Sequence, residues 1–177
     1  MKKLSVEVKG ISPLLMHAFP MAQIEALEKK TPEEQAELAA YRDEQNSKYL
    51  YIPAMAIQRG LIAAAAYSKG KGRGSLQKSV AACLLVSPER ISLGVKKYAL
   101  DARPVVIPAT KGRVMRYRPR LDEWKITFAL EYDENLLTEN QLRRGVDDMG
   151  SRVGLLDFRP ERKGPFGRCI VTKWQND

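Results

Sequence analysis

The chain has little imidazole or thiol to work with. Its 177 residues hold one histidine and two cysteines. Nothing in it has zinc-ligand spacing. There is no P-loop, no nucleophile elbow and no Ser–His–Asp pattern, so the common nucleotide-hydrolysing and acyl-transfer chemistries have no sequence signature. No apolar stretch approaches the roughly 20 residues that span a bilayer. The opening "MKKLSVEVKG" has two lysines with no apolar h-region behind them, so it does not read as a signal peptide. Cys83 and Cys169 sit in apolar, strand-like runs and are expected to be reduced and buried. A cytoplasmic protein with no metal, no cofactor and no membrane partner is the expectation.

What the chain has in excess is positive charge. Thirty Lys and Arg stand against 21 Asp and Glu, giving +9 and a pI near 9.6. Such an imbalance favours a polyanionic partner, nucleic acid foremost, with an anionic membrane surface as the rival. The hydrophobic fraction of 44% is enough for a core. The length fits one domain over 1–177, with insertions at about 12–48 (helical) and 96–124 (a hairpin arm).

Periodicity supplies the elements. "LSVEVKGI" (4–11) and "KITFALEYD" (125–133) alternate as half-buried strands. Thr31 with Glu34, and Thr138 with Gln141, read as capping boxes that start helices. Residues 54–67 recur at helical spacing through Ile57 and Leu61. "SVAACLLVSPERISLGV" reads as strand, turn, strand, and 166–174 as the last strand. The resulting order is β (4–11), α (54–67), β (about 80–93), β (125–133), α (139–149), β (166–174). This is an α+β fold of the ferredoxin-like, RRM-like βαββαβ type.

Fourteen of the 30 basic residues fall in three loop-like stretches. The first holds Lys69, Lys71, Arg73 and Lys78. The second holds Lys111, Arg113, Arg116, Arg118 and Arg120. The third holds Arg152, Arg159, Arg162, Lys163 and Arg168. Glycines in the first and third would let backbone N–H groups approach an anion. In an extended limb Arg116, Arg118 and Arg120 share one face, with Tyr117 opposite. Their spacing of roughly 6.6 Å is near the phosphate repeat of an extended single strand. The alternative is a hairpin neutralised by Asp101, Asp122 or Glu123. Phe158 and Phe166 would either stack on bases or anchor their loop. His17 is the one imidazole that could serve acid–base chemistry, and no partner for it is visible. The adjacent acids Asp122/Glu123 and Asp147/Asp148 point apart and read as solvated.

Two stretches together resemble the RAMP superfamily of CRISPR proteins. "YIPAMAIQRGLIAAA" is similar to the start of the superfamily's first helix, through Ile52, Pro53, Ala54, Ile57, Arg59 and Gly60. "VGLLDFRPERKGPFGRCIV" resembles its C-terminal glycine-rich loop, through Gly154, Gly164, Phe166 and Gly167. The arm at 96–124 is similar in position to the thumb hairpin of the backbone subunit that lines guide RNA. The resemblance implies a non-catalytic subunit for single-stranded nucleic acid, RNA foremost, in a homo-oligomeric, filamentous or CRISPR-like complex. It adds Arg59 to the candidate contacts. It also keeps two alternatives open: a metal-independent endoribonuclease using His17, and a protein-interaction module such as a phage inhibitor that mimics a backbone subunit.

Overall fold

The computed structural model describes residues 1–19, 24–70 and 74–176. The first strand, β1 (Lys2–Gly10), leads through the two-residue β2 (Leu14–Leu15) to two short helices, α1 (Ile24–Glu28) and α2 (Pro32–Ala39). Then come β3 (Tyr51–Pro53), α3 (Ala54–Ala64), α4 (Gln77–Cys83), β4 (Leu84–Ser87) and β5 (Arg90–Ser92). The arm is β6 (Ala99–Val106) and β7 (Arg113–Leu121). The chain closes with β8 (Lys125–Tyr132), α5 (Glu139–Asp148) and β9 (Cys169–Asn176).

The architecture is mixed α+β with antiparallel sheets. The main sheet has the order β4-β8-β1-β9. The alternation read from sequence becomes direct cross-strand pairs: Leu4 faces Leu130, Val6 faces Phe128 and Val8 faces Ile126. All six are buried. Burial of each such side chain is worth about 1.5–3 kcal/mol. Ile57 and Leu61 of α3, with Leu142 and Val146 of α5, join the same hydrophobic cluster. Both capping boxes form. Thr31 accepts from the Glu34 N–H at 3.2 Å and Thr138 from the Gln141 N–H at 3.3 Å.

Two expected strands differ. The stretch read as a strand from about residue 80 begins as helix α4. Val80 and Cys83 are buried while Ala81 and Ala82 are exposed. That i, i+3 spacing is helical, and a short apolar run does not separate the two structures by itself. Cys83 therefore ends a helix, although it is buried and free as expected. The last strand begins at Cys169, not at 166. Gly167 has φ +75°, which breaks an extended segment.

A second sheet, β2-β7-β6, carries the arm, and α2 packs against β7. Glu37 of α2 accepts hydrogen bonds from Arg42 Nη2 at 2.9 Å and Tyr98 Oη at 2.8 Å. Burial and Glu37 push the Tyr98 hydroxyl up to about 12. The insertion is thus tied to the root of the arm.

A Cβ at Gly167 would run into the Leu155 backbone. Gly167→Ala is therefore expected to cost about 2 kcal/mol or more in urea denaturation. Gly74→Ala, which meets nothing within 4 Å, serves as the near-neutral comparison.

Candidate nucleic-acid interface

The segment from Gly154 to Arg168 contains a run, "GLLDFRP", with one acid among apolar neighbours. Leu155 and Leu156 are buried, and they carry Asp157 inward with them. An ionised carboxylate in such a place needs counter-charge. Asp157 finds it 39 residues away, in Arg118 of β7. His17 Nδ1 stands 3.4 Å from the same carboxylate oxygen. The Asp157 N–H donates to the Leu15 carbonyl at 3.0 Å. Burial would raise its pKa, but the His17 hydrogen bond and the Arg118 charge outweigh it and hold the carboxyl down at about 2.

The loop glycines serve packing. Gly154 and Gly167 both have φ +75°. A side chain at Gly164 would strike the Phe158 carbonyl. The Phe166 N–H donates to Phe158 O at 3.2 Å, the Gly164 N–H to Arg159 O at 3.0 Å and the Leu155 N–H to Gly167 O at 3.0 Å. These N–H groups are spent within the loop, so any anion here must be held by side chains.

The arm keeps the expected parity. Cross-strand pairs Asp101/Arg118, Arg103/Arg116 and Ala99/Arg120 put the three arginines of β7 on one face. That face is also the one by which the arm docks, so the arginines are not an open row. Arg118 is only 6% exposed, so the arm does not present it on its open surface. Arg120 bonds Asp122 at 2.7 Å and lies 4.0 Å from Asp101. The neutralising acids are thus partly realised, and Arg116 alone of the three has no acidic partner among the described residues. Arg113 falls on the opposite face.

Phe166 is 3% exposed. Arg103 and Arg120 approach its ring at 4.8 and 5.8 Å, and Phe158 lies 6.0 Å from it, centroid to centroid. It pins the loop to the arm and is not free to stack on a base, a correction to its candidate role. Arg159 is held by Glu161 at 2.6 Å and by Leu156 O at 2.9 Å. Arg168 donates to Ser151 O at 2.6 Å. Arg162 and Lys163 are exposed without an acidic partner among the described residues, as are Arg59, Lys69, Lys78, Lys111 and Arg113. Lys71 and Arg73 lie outside the described residues. Arg152 sits 4.8 Å over the Tyr67 ring, so the 69–78 stretch starts beside the third basic stretch.

Two cavities adjoin along the shared residues Asp157 and Arg159. One, of about 380 Å³, is lined by His17, Tyr41, Arg59, Asp157 and Arg159 among others. The other, of about 320 Å³, lies between β6 and the 157–162 turn. The arrangement brings Arg59 and Arg159 to one cavity and Arg159 and Arg162 to the other, and gives His17 a carboxylate neighbour. Sequence reasoning missed Asp157 and Arg103. The signals were an acid inside an apolar run and an Asp101-x-Arg103 alternation on a strand. Among the described residues no three His, Cys, Asp or Glu side chains gather to hold a metal, and no helix is long and apolar enough to cross a membrane.

Comparison with known proteins bears on the fold. No protein-family model and no curated protein matches the chain. Among solved structures it is similar to a chain in the cryo-EM structure of the Type III-B Cmr-beta bound to cognate target RNA. The TM-score is 0.60 over 99% of this chain, at 11% identity. The chain spans 60% of that neighbour's length. The two share an α+β fold.

The Asp157 carboxylate has a folded pKa near 2 against an ordinary 3.8. Its contribution to stability is complete above about pH 4 and is lost as pH falls toward 2. Asp157→Asn leaves Arg118 buried without counter-charge and is expected to cost about 3 kcal/mol at neutral pH. Urea midpoints between pH 3 and 7 should show this loss together with a shallower acid limb.

Proposed function

We propose that the chain is a non-catalytic subunit that binds single-stranded nucleic acid, RNA in preference, and assembles into a multi-subunit or filamentous complex. One observation carries this: of the basic side chains without acidic partners among the described residues, Arg59 lines one of two adjoining cavities and Arg162 the other, with Lys163 next to Arg162 in the chain and Arg116 paired across the arm with the cavity-lining Arg103. Lys69, Lys78, Lys111 and Arg113 add exposed positive charge, and Lys71 and Arg73, which lie outside the described residues, are proposed as further contacts. Electrostatic attraction of this kind supplies most sequence-independent affinity for nucleic acid.

The strand order supports a ferredoxin-like plait within a single domain over 1–177. In the order β4-β8-β1-β9, with α3 between β1 and β4 and α5 between β8 and β9, the main sheet follows βαββαβ. The arm enters between the second and third strands of that plait. The structural neighbour is a chain of a Type III-B Cmr-beta bound to cognate target RNA, which supports RNA as the partner. Leu100, Val106 and Met115 are 43%, 57% and 45% exposed, and all lie on the arm face opposite Arg116. An apolar stripe of that kind supports contact with another subunit.

Fluorescence anisotropy with a 20-nucleotide single-stranded RNA and its DNA counterpart tests the proposal. Wild type should bind at low ionic strength and weaken steeply with salt. Arg116→Glu with Lys163→Glu should weaken binding at least tenfold. No binding by wild type at low salt rejects it.

The alternative reading, a metal-independent endoribonuclease, has its support in the His17–Asp157 contact in a cavity shared with Arg59 and Arg159. There His17 would act as general acid or base on the ribose–phosphate unit while the arginines steady the phosphate's added charge. If this holds, RNA is cut in EDTA by wild type and left intact by His17→Ala. An RNA that stays whole with wild type removes the nuclease assignment and leaves binding untouched.

A further inference from the structure

The cavity of about 320 Å³ between β6 and the 157–162 turn has a feature that the fold does not explain. Arg118 lines it and is 6% exposed. Its Nη1 is engaged by Asp157. Its Nε–H is buried with no hydrogen-bond partner. A buried guanidinium donor left unpaired is costly and rare in folded proteins. An acceptor entering the cavity would satisfy it.

The rest of the lining indicates which acceptor. Asp157 already offsets the Arg118 charge, so a further anion needs a second cation. Arg162 lines the same cavity, is exposed and has no acidic partner among the described residues. Pro104, Val105 and Phe158 add apolar surface. Two guanidinium donors beside an apolar patch match a unit with an anionic head and a flat or apolar body. The volume lies at the small end of ligand sites. Guanidinium geometry suits phosphate oxygens in particular.

We propose that this cavity seats one nucleotide of a bound single strand. Its phosphodiester accepts from Arg118 Nε and Arg162, and its ribose and base rest on Pro104, Val105 and Phe158. The strand then passes Arg159, the wall shared with the His17 cavity, which places a neighbouring nucleotide there. This assignment rests on the nucleic-acid function proposed above and adds to it a defined seat.

The test uses the full chain and a 15-nucleotide single-stranded RNA carrying 4-thiouridine, irradiated and mapped by mass spectrometry. Wild type should crosslink in the peptides holding Pro104–Val105 or Phe158. Arg162→Ala should lower that yield about tenfold, the loss expected for one charge-assisted contact. Val105→Trp, which fills the cavity and leaves every charge in place, should lower it similarly. Arg144→Ala removes an exposed cation of α5 that lines neither cavity and should leave the yield unchanged. RNA that binds wild type but crosslinks elsewhere, with Val105→Trp indifferent, overturns the seat and leaves RNA binding standing. No RNA binding at low salt overturns both.

Discussion

Asp157 stands where three segments meet, and its charge decides how they sit. The carboxylate neutralises Arg118 of the arm, contacts His17 beyond β2, and belongs to the loop that precedes β9. Its own N–H is tied to Leu15. A buried ion pair is weak support for a fold when both partners are exchanged for apolar residues, yet strong when one is removed. Here the pair does more than hold two groups. It joins a loop, a hairpin and the root of an insertion that have no covalent reason to be adjacent. The Phe166 ring beneath Arg103 and Arg120 repeats the same junction with cation–π contacts.

That junction sorts the positive charges. Arg118, Arg120, Arg103 and Arg159 each face an acid and hold the structure together. Arg59 and Arg162 line the cavities at the junction without such partners among the described residues, and Arg116 and Lys163 likewise have none. A net charge of +9 is therefore unevenly available: some of it is spent on internal pairs, and Arg59 and Arg162 bring unpaired charge to the two cavities. An extended polyanion passing over this surface would meet the second group first, and of the first group it would touch only Arg103, Arg118 and Arg159, which line the cavities.

The parts legible in the sequence are those set by local rules. Alternation in 4–8 and 126–130 led directly to the facing pairs of β1 and β8. The two Thr-led capping boxes formed where they were read. The parity of Arg116, Arg118 and Arg120 also held, since it follows from strand geometry alone. What could not be read depends on distant partners. Arg118 and Arg116 are two residues apart and equivalent in sequence, but one meets Asp157 and the other does not. The loop glycines read as room for an anion; they are room for the loop's own carbonyls. In α4, Val80 and Cys83 were read as strand because a seven-residue apolar segment fits either period.

In the proposed function the arm and the 155–163 loop together present one basic surface to a single strand. Hydrogen–deuterium exchange on the full chain, with and without a saturating 20-nucleotide single-stranded RNA, reads this most directly. The account predicts joint slowing of exchange in 99–121 and 155–163, with the exposed side of α5 unchanged. Slowing confined to α5 or to β9, or spread evenly over the molecule, would contradict it.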